Sequence, residues 1–393
     1  MPSIISSCSP YSSLHQRHAF ARSHGLDPLV ISENVPQWPD GPPMMAATSA
    51  ASVNAYANCN GIEDLRVGIA DRENRLYGSS LTSANVVVTN GALQGLGLIL
   101  RHIHRSGAHI LVQAPVLGSV GRLLKSTGYR MSFFTLGDGA IDLEKLSLLC
   151  NNATEAIYLN LPNNPNGAVA DSGSMNDVLA FAQQRGLKVI ADTVYDGYTF
   201  VSDAACSPLP YVESLKNIYI VNSMSKNYGA PGIRVGWILA DRQETIELGG
   251  RLQFECLAVA GDAQEQAVQL LHTDTTPLLH RVKAGRSLVI DALSQIPNIT
   301  YRAPAGGTQV FAGLPVDDVE AFADMMLLTF GLMVATSDHF LAAPGAHIRI
   351  PLGLPKRQIA KGLQILEEGL EAWQTDQCFD VGTPAFAHAS QRQ

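Results

Sequence analysis

The chain has 393 residues, 46% hydrophobic and 16% charged, enough for one large core or two domains. Its formal net charge of −8, without a dense basic block, argues against nucleic acid as a partner, and no apolar run approaches the roughly 18 residues of a membrane span. Six scattered cysteines (Cys8, Cys59, Cys150, Cys206, Cys256, Cys378), with no C-x-x-C pair, suit free thiols in a reducing cytoplasm rather than a disulfide framework.

The first forty residues carry Arg17, Arg22, several serines and no acid before Asp27. Organelle transit peptides share that composition, but no Arg-rich amphipathic face is evident, so a polar arm ahead of the first helix is expected. Pro36, Pro39, Gly41, Pro42 and Pro43 punctuate its end. Strands are then expected over residues 85–89, 109–113, 155–160, 187–192 and 217–222, with helices over 92–104, 116–126 and 174–185 between them. Near-continuous apolar strands separated by helices imply an α/β fold, a mostly parallel sheet covered on both faces. From residue 262 the pattern changes. Helical periodicity runs to 293, strands near 308–311 and 347–351 flank a helix over 316–330, and an amphipathic helix covers 357–373. The expected organisation is an N-terminal arm (1–44) contributing to the small domain, a large domain (45–275), a smaller α+β domain (276–373) and a loose tail (374–393).

Ligands of such sheets bind at the carboxyl ends of the strands, and five features fall there. Thr89-Asn-Gly-Ala-Leu-Gln94 turns from strand to helix; Gly91 permits close approach, and the Ala92 and Leu93 amides lie at a helix N-terminus suited to phosphate. Leu161-Pro-Asn-Asn-Pro-Asn-Gly167 ends a strand in a rigid, Asn-rich turn, which turn chemistry alone could explain. Asp192 closes a buried strand, with Tyr195 three residues on; such a carboxylate needs a cationic or protonated partner. Lys226 sits among Ser223 and Ser225, with Arg234 eight residues later. An amine beside a fixed cation has a lowered pKa and suits covalent chemistry on an anionic cofactor. Arg349 stands alone inside a strand pattern, where its planar fork suits either an ion pair or a substrate carboxylate.

Competing chemistries have less behind them. Ser223-Met-Ser-Lys226 also fits the Ser-x-x-Lys pair of acyl-transfer enzymes, but no Lys-Thr-Gly occurs. A non-enzymatic effector-binding regulator would need a helix-turn-helix domain, for which the N-terminal arm is too short and insufficiently basic. The histidines show no metal-ligand spacing, so no metal site is expected.

Taken in order, Tyr56…Gly61…Leu65-Arg66, Asn90-Gly-Ala92, Asn163-Asn-Pro-Asn-Gly167, Asp192-x-x-Tyr195, Ser223-x-Ser-Lys226…Arg234 and Arg349 resemble the class I/II aminotransferases, pyridoxal-phosphate enzymes of fold type I. The resemblance spans roughly residues 30 to 372. It implies that Lys226 forms the Schiff base with pyridoxal 5'-phosphate and then serves as general base and acid. It pairs Asp192 with the pyridine nitrogen, and Asn164 and Tyr195 with the ring's phenolic oxygen. Gly91, Ala92, Leu93, Ser223, Ser225 and Arg234 surround the phosphate, and Arg349 with Asn164 holds the substrate. Tyr56 reaches a neighbouring subunit's phosphate, so a homodimer with shared sites is implied, acting on an amino acid and a 2-oxo acid. Arg66 is structural in this reading. The chain departs from the family's pattern at three places. Val116 and Leu117 stand where an aromatic ring usually stacks on the cofactor, Asn166 replaces a threonine, and Thr336-Ser337 stand where Pro-Gly is frequent. Leu117 is then expected over one ring face. With these changes a lyase or cyclase outcome stays open beside transamination.

Overall fold

The computed structural model describes residues 10–43, 45–46, 54–137 and 139–375. Cys8, Cys378 and nearly all of the expected loose tail lie outside them.

Seven strands build the principal sheet, in the order Val86–Thr89, Gly236–Leu239, Ile218–Ser223, Lys188–Asp192, Thr154–Asn160, His109–Ala114 and Arg130–Thr135. Every pairing is parallel except the two made by Gly236–Leu239, which runs against both neighbours. The continuous apolar runs follow from burial on both faces. Ile110, Val112, Tyr158, Ile190 and Val221 pack to one side with helices Gly91–Ile103 and Gly118–Thr127. Leu111, Ile157, Leu159, Val189 and Ile220 pack to the other, with Glu63–Tyr77 and Ser172–Arg185. Alternation along a strand sends successive side chains into opposite cores.

A second core surrounds a four-stranded antiparallel sheet in the order Thr300–Tyr301, Gln309–Gly313, His347–Pro351 and Ala335–Thr336. Helices Thr276–Leu293, Val319–Leu328 and Lys356–Gln374 supply Val282, Val289, Phe322, Ile359 and Leu366 to it. Ile31, from the N-terminal segment, joins the same core.

Several expectations need correction. The polar arm contains a helix, Pro10–Ser23, and Arg17 on it is fully buried. Its Nε donates to Asp324 Oδ1 at 2.9 Å, and its guanidinium lies 3.2 Å from Glu320, so the charge is paired where it is buried. The helix expected from Val116 starts at Gly118, because Val116–Leu117 form a short strand antiparallel to Phe340–Leu341. The helical stretch from 262 is two helices, Gly261–Leu271 and Thr276–Leu293, the second with Pro277 in its first turn, where a missing N–H costs nothing.

Candidate active site

Four strand ends of the principal sheet converge on one place. Ser223 ends its strand and caps the single turn Met224–Asn227, its Oγ accepting the Ser225 N–H at 3.3 Å. That turn presents Lys226. The Lys226 Nζ donates to the Asn34 carbonyl at 2.8 Å and lies 6.0 Å from the centre of the Tyr195 ring. Burial, then the nearby Arg349 charge, lowers this amine to about 8; Glu33 opposes them, and Arg234 adds a lesser lowering. A neutral, nucleophilic amine is thus accessible near physiological pH. The Ser-x-x-Lys acyl-transfer alternative fails on geometry: Ser223 Oγ serves as a cap, and the amine is bonded elsewhere.

Asp192 ends the neighbouring strand. Its carboxylate accepts Tyr158 Oη–H at 2.8 Å and the Val194 N–H at 3.3 Å. Burial still pushes it up to about 6, because two donors do not replace full hydration. Tyr195 is buried and accepts from Asn34 Nδ2 at 3.1 Å, which leaves its own proton free to donate. Burial raises that phenol to about 12.

Arg349 reaches the cluster from the second sheet. Its guanidinium donates to Asn164 Oδ1 at 3.2 Å and to the Ser32 carbonyl at 2.6 Å. The Asn164 amide therefore turns its Nδ2 away from Arg349, available to another acceptor. Among the described residues, Arg349 Nε is buried without a hydrogen-bond partner, as is Ser32 Oγ. Unpaired buried polar atoms are costly, and these two lie on residues bonded to each other, Arg349 donating to the Ser32 carbonyl.

At the other end, helix Gly91–Ile103 points its N-terminus at the same strand edge. Gly91 has φ +75°, and a Cβ there would collide with the Arg234 guanidinium. Gly236 is as tightly held: its Cβ would lie 2.6 Å from the Ala92 nitrogen. Free amides of Ala92 and Leu93, the helix dipole and Arg234 make an anion cradle.

Leu117, Tyr56 and Arg66 have the following surroundings. Leu117 is half-buried and pairs across the short strand with Phe340, whose ring lies 5.5 Å from the Arg349 guanidinium. Tyr56 is 86% exposed, so this chain does not pack it into the cluster. Arg66 bonds the Gly61 and Ser83 carbonyls and pairs with Glu63, a structural role as expected.

Sequence reasoning missed a supporting network behind the lysine. Asp196 accepts from Arg72 at 2.8 Å, Tyr77 at 2.8 Å, Asn222 at 3.1 Å and Asn227 at 2.6 Å. Asn227 follows Lys226, and Asn222 precedes Ser223, so one carboxylate ties the lysine turn to the segment bearing Asp192 and Tyr195. Asn34, Ser32 and Phe340 were also missed; their partners lie far away in sequence.

Comparison with known proteins gives the family of the chain. Residues 24–366 match the family described as aminotransferase class I and II. The chain is 36% identical over 374 residues to an L-aspartate:5-guanidino-3-methyl-2-oxopentanoate transaminase of Pseudomonas syringae pv. syringae, covering 94% of this chain and 97% of that one. It is 37% identical over 337 residues to the 3-methylarginine biosynthesis aminotransferase ArgM of Streptomyces arginensis, covering 85% and 90%. Its fold resembles the crystal structure of aspartate aminotransferase from Thermotoga maritima, with a TM-score of 0.83 at 22% identity over 93% and 97% of the two chains. A half-buried lysine just past a strand end, joined to an arginine of a second sheet through the Ser32 and Asn34 carbonyls, thus sits in a chain that belongs to the class I and II aminotransferase family and transfers amino groups.

Proposed function

We propose that the cofactor is pyridoxal 5'-phosphate and that the amino group moves from L-aspartate to a guanidino-bearing 2-oxo acid. The observation that carries the reading is the Lys226 amine, lowered to about 8 and grouped with Asp192, Tyr195 and Arg349. The chain's residues fit the cofactor. The cradle at Gly91, Ala92, Leu93, Ser223, Ser225 and Arg234 accepts a phosphate, and Lys226 offers the amine for covalent attachment. When bound, the cofactor supplies an electron sink for the negative charge that develops at a substrate α-carbon.

Asp192 holds a proton at the pyridine nitrogen; a cation there also relieves the cost of its own burial. Tyr195 Oη and Asn164 Nδ2 donate to the phenolic oxygen. With the cofactor bound, Lys226 Nζ would take the proton from the substrate α-carbon and return it two atoms further along, on the carbon beyond the amino nitrogen, a task for which a pKa near the working pH is suited. Arg349 holds the substrate carboxylate through its unpartnered Nε and one terminal nitrogen, a two-pronged contact. Leu117 covers one face of the ring by dispersion. Tyr56, exposed in the single chain, reaches the phosphate of a second copy, giving a homodimer with shared sites. The division at residues 44 and 275 belongs to the same reading: the small domain carries Arg349 to the large domain's lysine.

The substrates follow from the two relatives, whose names specify a transaminase using L-aspartate with a guanidino oxo acid and one of 3-methylarginine biosynthesis. The test is a half-reaction. Cofactor-loaded protein mixed with L-aspartate should release oxaloacetate as its visible absorption converts to that of the aminated cofactor. Adding 5-guanidino-2-oxopentanoate should restore the starting spectrum and yield arginine. A dehydrated or cyclised product with unchanged absorption would overturn the transfer reading in favour of a lyase or cyclase.

A further inference from the structure

We infer that Glu33 is the residue that selects a substrate with a cationic, guanidinium-bearing side chain, an inference that rests on the proposed aminotransfer at Lys226.

The geometry begins with the segment around it. The Ser32 carbonyl accepts from Arg349 at 2.6 Å, and the Asn34 carbonyl accepts from Lys226 at 2.8 Å. The Ser32 and Asn34 residues are buried, at 1% and 3% exposure, and the Asn34 side chain is locked onto Tyr195, Thr308 and Gln309. One short stretch of backbone therefore bridges the carboxylate clamp and the reacting amine. Glu33 is the residue between these two anchors, and it is exposed. Among the described residues no hydrogen bond or ion pair holds its carboxylate, and its charge acts on Lys226 and Arg349.

The site is also incomplete on its own. Ser32 Oγ and Arg349 Nε, both buried, have no hydrogen-bond partner among the described residues. A substrate pinned at its carboxylate by Arg349 and at its α-carbon by Lys226 lies along the segment that bonds both. Once it is bound, the Arg349 charge is matched by that carboxylate, and Lys226 acts as a neutral amine. The Glu33 charge is then left without a counterion. A guanidinium at the end of a three-carbon chain supplies one, with a planar fork that fits a carboxylate. A second substrate carboxylate, as in aspartate, meets repulsion instead.

The test compares three amino donors with the cofactor-loaded wild type and Glu33→Gln: L-arginine, L-citrulline and L-aspartate. Citrulline copies the shape of arginine with a neutral ureido group. In each half-reaction the amino group passes to the cofactor and the donor leaves as its 2-oxo acid, 5-guanidino-2-oxopentanoate in the case of arginine. The wild type should prefer arginine to citrulline. In Glu33→Gln, kcat/KM for arginine should fall by roughly fivefold, the size of one partly exposed ion pair. The change should lie mainly in KM, shrink at high salt and be partly rescued by Glu33→Asp. Aspartate should react faster in Glu33→Gln than in the wild type. An arginine-to-citrulline ratio that is the same in both proteins, or arginine and aspartate falling together, would overturn the role of Glu33. If the wild type converts none of the three donors, the aminotransfer reading fails first and takes this inference with it.

Discussion

Replacing Asp192 by asparagine separates a catalytic carboxylate from a structural one, because the two roles predict opposite signs in the cofactor-free protein. Burial raises this carboxyl from 3.8 to about 6. Two units at about 1.4 kcal/mol each make the ionised group cost roughly 3 kcal/mol of stability. The folded state binds the proton more tightly than the unfolded chain does. Stability is therefore lost as pH rises from about 4 to about 6 and stays reduced above that. Asparagine keeps an acceptor for the Tyr158 hydroxyl and removes the charge. Cofactor-free Asp192→Asn should thus be more stable than the wild type at about pH 8, by up to roughly 3 kcal/mol, with the advantage gone below about pH 4. The loaded variant should behave in the opposite way. With no anion to hold a proton at the pyridine nitrogen, turnover of aspartate should fall about 10²- to 10³-fold, the usual effect of deleting one preorganised charge partner. Denaturant unfolding of both cofactor-free proteins at the two pH values, with kcat of both loaded proteins, decides the matter. A cofactor-free variant less stable than the wild type, or a loaded variant with wild-type kcat, would refute the assignment.

Two further substitutions test the opposite ends of the site. Arg349→Lys keeps the charge but loses the fork that meets Asn164, Ser32 and a substrate carboxylate. The apparent Kd for amino acids should weaken by about tenfold or more, at 1.5–3 kcal/mol for a charged hydrogen bond, while the cofactor spectrum is unchanged. Gly91→Ala places a methyl group against Arg234 at a positive φ, so it should release cofactor on dialysis while far-ultraviolet circular dichroism keeps its wild-type shape. Retention equal to wild type would remove the phosphate cradle from the account.

The sheet and its site were legible where sequence and burial share a period. Strands buried on both faces read as continuous apolar runs, and the turns that follow them hold Asn90-Gly91, Asn164, Asp192 and Lys226. Arg130–Thr135 escaped notice because it lies at the sheet edge, with exposed Arg130 and Thr135 interrupting the apolar signal. Gly236–Leu239 was hidden by the glycine and arginine chemistry just before it. The second half of the site was harder to see for a different reason. Ser32, Glu33 and Asn34 form no periodic pattern, and their partners Lys226 and Arg349 lie about 200 and 300 residues away, as does Asp324 from the buried Arg17. Contacts of that range are set by how the two cores meet, which no local composition reveals. Asp196 was overlooked beside Asp192 because a second acid in a strand-end turn reads as a solvated residue until its four donors are seen.

The central claim is that Lys226 is the covalent attachment point and the proton carrier of the reaction. Borohydride reduction of the cofactor-loaded protein, followed by proteolysis and mass spectrometry, tests it directly. The account predicts a single stable pyridoxyl label on Lys226 and none in Lys226→Ala, which should have no measurable turnover of aspartate. A label on any other lysine, or turnover retained by Lys226→Ala, would contradict it.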